Sequence, residues 1–66
     1  MKISVYNNLS EREKIPYRIE IATVVALEEI QKGTDLKPVL KRCIKKEQYC
    51  GAEGIKRALH LTNTNN

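Results

Sequence analysis

Cys43, Cys50 and His60 are the side chains of this chain best suited to covalent or metal chemistry, and their number restricts both. A structural zinc ion takes four ligands, so two thiols and the single imidazole fall one short unless a second chain completes the shell. A Cys50–His60 dyad would need a third group to orient the base and a rigid frame to hold it. The sequence places Cys50 in a turn and His60 near the end of a short helix, which offers no such frame. Reduced thiols are expected, Cys43 in the core and Cys50 near a helix end, with His60 an ordinary side chain. Gly51-Ala52-Glu53-Gly54 lacks the lysine and the preceding strand of a phosphate-cradling loop. Glu28 and Glu29 read as a solvated helix face. This inventory predicts no enzyme, no metal and no cofactor.

The remaining chemistry is electrostatic. Residues 1–31 carry four cations against five carboxylates, whereas residues 32–66 carry eight against three, so the whole net charge of +4 arises after Lys32. Lys37, Lys41, Arg42, Lys45, Lys46, Lys56 and Arg57 are the residues expected to contact an anionic partner, duplex DNA first and an acidic protein surface second. A lysine-rich helix face also simply keeps a small protein soluble. With no aromatic residue interleaved among the lysines of 37–46, stacking on single-stranded bases is poorly supported.

The elements that must position these residues read as mainly α: a small three-helix domain with a short N-terminal β-strand. Lys2 to Tyr6 alternates polar and apolar residues and predicts the strand, ended by Asn7-Asn8. Ser10 and Glu13 form a capping box that opens a short helical turn, since Pro16 biases Ile15 toward extended backbone. A helix is predicted from Pro16 to Lys32, stopped by Gly33, with Ile21, Val24 and Val25 along one face. The period-two run at 17–21 leaves a strand there as the alternative. Asp35 is the expected cap of a helix over 36–47, with Pro38 in its first turn. Leu36, Val39, Leu40, Cys43 and Ile44 form its apolar stripe, while Lys37, Lys41 and Lys45 stack beside Arg42 and Lys46. After a turn at Gln48 to Gly51, a third helix is predicted over 52–61 with Ile55, Ala58 and Leu59 inward. Gly54 weakens that helix, and close approach of another backbone is the use a small residue would have there. Residues 1–61 then make one domain and 62–66 a disordered tail.

Two DNA-binding arrangements suit this order. In a helix-turn-helix reading, the helices at 36–47 and 52–61 form the motif, and Glu53, Lys56, Arg57 and His60 point outward. The segment Gly33-Thr34-Asp35-Leu36 resembles the turn before the second helix of the ribbon-helix-helix family. That resemblance implies a dimer whose paired strands read base edges through Lys2, Ser4 and Tyr6. The ten residues between Tyr6 and Tyr17 and the third helix depart from the family pattern. A different class is a protein-binding inhibitor or adaptor, favoured by the thin core and by Tyr17, Ile19 and Val25 on a nearly all-apolar helix. With no apolar run long enough to span a bilayer and no signal-like start, the chain reads as a cytoplasmic regulatory protein, expected as a homodimer.

Overall fold

Ser10 opens the longest element of the fold. Its Oγ accepts the N–H of Glu13 at 3.2 Å, and the Glu13 carboxylate accepts the N–H of Ser10 at 3.0 Å, completing the box read from the sequence. The computed structural model describes residues 3–63, which form α1 (Ile3–Asn7), α2 (Glu11–Gln31), α3 (Lys37–Lys45) and α4 (Tyr49–Asn63). The helix starting at the box runs straight through Pro16 to Gln31, so neither the break expected before Pro16 nor the alternative strand at 17–21 exists. A proline inside a helix leaves one carbonyl, here that of Arg12, without its amide donor. The strong cap upstream and the packing downstream outweigh that local loss.

The predicted N-terminal strand is also absent. Residues 3–6 are helical, and Lys2 lies outside the described residues. An isolated strand leaves its N–H and C=O groups unpaired, and no strand among the described residues stands ready to pair with it, so the segment closes its bonds locally as a helix. Tyr6 anchors α1 by an edge-on contact with Tyr17, ring centroids 6.4 Å apart, and lies beneath the Lys14 ammonium. Ile3 and Val5, the alternating pair, are both exposed. With the strand goes the physical basis of the ribbon-helix-helix resemblance.

Gly33 stops α2 as expected, at φ +91°, with the N–H groups of Gly33 and Thr34 returning to the carbonyls of Ile30 and Glu29. The N-cap of α3 is Leu36, one residue after the expected Asp35, and the helix ends at Lys45 and not at 47. Asp35 Oδ1 still accepts the Lys37 N–H at 3.0 Å, and Pro38 falls within the first turn. α3 ends in the same type of motif, the N–H groups of Glu47 and Gln48 bonding the carbonyls of Ile44 and Cys43. Here a non-glycine residue, Glu47, takes the left-handed conformation at φ 58°. Only three residues then separate α3 from α4, which begins at Tyr49 instead of 52 and continues to Asn63. Thr62 and Asn63, expected in the tail, belong to this helix, and 64–66 lie outside the described residues.

α4 packs mainly along α2 and less extensively against α3. Cys50 Sγ reaches the Ile15 carbonyl and Gly54 abuts Ala22, so α2 and α4 run in the same sense and α3 returns between them. A Cβ on Gly54 would lie 2.7 Å from the Ala22 carbonyl carbon and 2.8 Å from the Thr23 nitrogen, which is the close backbone approach anticipated for this glycine. The buried core is Ala26, Leu36, Cys43, Ala52, Ile55 and Ala58, with Leu27, Ile30, Val39, Leu40 and Leu59 packed against it. Three alanines in six positions make it thin. Ile44, assigned to the apolar stripe of α3, is instead exposed, as are Ile21, Val24 and Val25 of α2. Ile19, read as a spare apolar residue, is buried.

Candidate nucleic-acid interface

α3 buries Leu36 and Cys43, half-buries Val39 and Leu40, and thereby turns the opposite half of its circumference outward. The same 100° step per residue places Lys37, Lys41 and Lys45 in one row, about 6 Å apart along the axis, with Arg42 and Lys46 on the adjoining flank. All five are exposed. The helix itself contains no acidic residue, and Asp35 is engaged by the backbone at its start.

Pairing distinguishes Lys14, Arg18 and Lys32, in and at the end of α2, from the cations of α3. Arg18 and Lys14 bind Glu11 at 2.8 and 3.6 Å, and Lys32 binds Glu29 at 3.6 Å. The Tyr6 hydroxyl and then the Glu11 carboxylate hold Arg18 in its charged form, raising its pKa. Reciprocally, Arg18 first and Lys14 second lower that of Glu11. Among the described residues, by contrast, Lys37, Lys41, Arg42, Lys45 and Lys46 make no ion pair, which leaves five cations on one helix face open to an external anion.

The remaining two candidates divide. Lys56 lines a shallow groove with Cys43, Ile44, Glu47 and Tyr49, which brings it to the C-terminal end of α3, although Glu53 pairs with it at 3.6 Å. Arg57 follows one step round α4, on the side of Cys50 that faces α2, so the structure does not gather it with the α3 row. Glu53, half-buried, and exposed His60 complete the outward arc of α4. That arc is far less basic than α3. The helix-turn-helix reading requires the opposite weighting, with the second helix in the groove.

Cys50 and His60 lie ten residues apart on one helix, about 15 Å along its axis. They cannot form a dyad. Both cysteines are free thiols, Cys43 buried and Cys50 half-buried at the start of α4, as expected. No group of three metal-ligating side chains occurs among the described residues, and no helix there is long and apolar enough to cross a membrane. What composition did not reveal is the apolar surface of α1 and α2, where Ile3, Val5, Tyr17, Ile21, Val24 and Val25 are all exposed. The spacing of Ile21, Val24 and Val25 was visible, but spacing alone does not say which side of a helix is covered.

No protein-family model, curated protein or solved structure matches this chain.

Proposed function

We propose that this is a small, non-enzymatic regulatory protein that binds duplex DNA by its phosphates through the outward face of α3. Lys37, Lys41, Arg42, Lys45 and Lys46 make the primary contacts and Lys56 extends them; Arg57 adds long-range attraction. The observation that supports the reading is that none of the five α3 cations has an internal ion pair among the described residues, whereas Lys14 and Arg18 of α2, Lys32 at its end and Lys56 of α4 are paired. Each phosphate contact releases condensed counterions, so affinity comes chiefly from the salt-dependent term and sequence preference is weak. A homodimer, also part of this reading, presents two such faces to one duplex.

A second reading is an inhibitor or adaptor that docks on an acidic protein surface through the same cations. Exposed Ile44 and Tyr49 beside Lys56 favour it, because apolar side chains next to cations suit a protein surface better than a row of phosphates.

The test is fluorescence anisotropy of a labelled duplex at about 50 and 200 mM salt, with the wild type and with Lys41→Glu/Lys45→Glu. Five phosphate contacts predict a log–log salt slope near −4.5 and about a 500-fold loss of affinity across that range. Both lysines are exposed, so the double variant keeps its helical circular dichroism, and it binds more than about 100-fold more weakly. Unchanged binding in the folded variant removes α3 from the reading. No binding by the wild type at low salt, together with a stoichiometric nuclease-resistant protein partner, establishes the second reading.

A further inference from the structure

Ile21 and Val25 form a ridge along α2 with an apolar groove on each side. The first groove, about 510 Å³, is walled by Ile3 and Tyr6 of α1. The second is closed by Leu36 and by Gly51 and Ile55 of α4. Ile3 is 78% exposed, Ile21 58%, and Val24 and Val25 about half, so this mostly aliphatic face lies open, with Glu20 beside the first groove and Arg18 and Glu29 beside the second.

The size and shape of the chain point to what covers it. A monomer of 7.6 kDa is expected to expose about 4,300 Å², yet the chain exposes 5293 Å². Its radius of gyration is 13.0 Å, against about 11 Å for a compact domain of this length. A chain less compact than a monomer of its mass leaves surface open, and an interface between copies covers roughly 800 Å² on each partner.

We propose that the α1–α2 face is the contact between two copies of this chain, related by a two-fold axis with the α2 helices antiparallel. A two-fold interface requires one surface to complement itself, and a ridge flanked by grooves does so, each ridge entering the other copy's groove. Tyr17, Ile21, Val24 and Glu28 follow the 4-3-4 spacing of a helix-pairing seam. Antiparallel alignment sets Ile21 against the partner's Val24, and Tyr17 against the partner's Glu28. The phenol then donates to a carboxylate that has no hydrogen bond or ion pair within the described part of its own chain. The free cations of α3 lie on another element and remain available in the dimer.

This assignment deepens the homodimer named in the reading above, but its test uses no nucleic acid. A monomer that binds DNA overturns the assignment alone, and a dimer that ignores DNA overturns the other reading alone. The experiment is sedimentation equilibrium of the full chain from about 5 to 500 μM, bracketing micromolar dissociation constants. The wild type is expected to move from 7.6 kDa toward twice that mass as concentration rises. Ile21→Glu, at an exposed position, is expected to keep its helical circular dichroism and weaken dimerisation at least about 100-fold. A wild type that stays at 7.6 kDa throughout, or a folded Ile21→Glu that still dimerises, overturns the proposal. Should Ile21→Glu fail to fold, the near-isosteric Val24→Thr decides: about a tenfold weaker dimer supports the seam, and an unchanged one overturns it.

Discussion

Gly54 is the residue on which the packing of α2 against α4 depends most directly. Replacing it with alanine favours the helical backbone by about 0.5–1 kcal/mol, but the new methyl would press on backbone atoms of Ala22 and Thr23, which cannot swing aside. Overpacking of this kind costs about 1–3 kcal/mol. Gly54→Ala is therefore expected to destabilise the protein by about 1–2 kcal/mol net in urea unfolding, and equal or greater stability would show that the helices separate at no cost. At the other end of α2, the pKa of Glu13 is lowered by the Ser10 backbone N–H and then by its hydroxyl, and Glu11 is lowered by Arg18 and Lys14. A carboxylate depressed in the folded state stabilises it above the unfolded value of 4.5, and that contribution is lost as pH falls through the folded values. Glu13→Gln keeps a neutral capping box without the charge. Its thermal midpoint should fall below that of the wild type near neutral pH, and the gap should close below about pH 3. A gap of constant size down to that pH would place the effect elsewhere.

At the scale of elements, α2 shows how a local rule yields to its neighbours. Pro16 removes one hydrogen bond from the helix interior and costs about 3 kcal/mol or more. Part of this is offset because proline also restricts the unfolded chain, by about 0.4–1 kcal/mol. Pro16 is exposed, so Pro16→Ala should stabilise the protein by about 2 kcal/mol and raise its urea midpoint with little change in the m-value. A destabilised variant would mean that the proline packs in a way its exposure does not suggest. α3 illustrates the reverse, an element whose basic face and first-turn proline were visible in the residue pattern. Its first-turn proline and its outward cations stand where that pattern put them, although the N-cap is Leu36 and not Asp35, and Ile44 faces out.

For the molecule as a whole, the separation of chemistries matters more than any single residue. Lys14 and Arg18 pair with Glu11 on α2, unpaired cations cover α3, and exposed aliphatic side chains lie on α1 and the outward side of α2. One face thus suits an anion and another suits a second apolar surface, with a thin, alanine-rich core between them. A core of that kind leaves little margin, since a chain this short buries only about 60% of the surface its unfolded form exposes. Association through the α1–α2 face would make up the difference, and the thermal midpoint would then rise with protein concentration. In the DNA titration, each α3 lysine neutralised should reduce the salt slope by about 1.

The sequence by itself determined the helical class, the capping box at Ser10, the stop at Gly33 and the basic face of α3. These depend on near neighbours: a cap is satisfied three residues away, a helix face repeats every 3.6, and a left-handed residue needs no distant partner. Tertiary structure alone decided the fate of Lys2 to Tyr6, the passage of α2 through Pro16, and which side of α2 is covered. Alternation at 3–6 suits a strand only where another strand accepts its hydrogen bonds, and Ile21, Val24 and Val25 suit a core only where another helix reaches them. α4 instead meets Ala22 and Ala26, because small side chains allow the closest approach, and the larger aliphatic residues are left facing out.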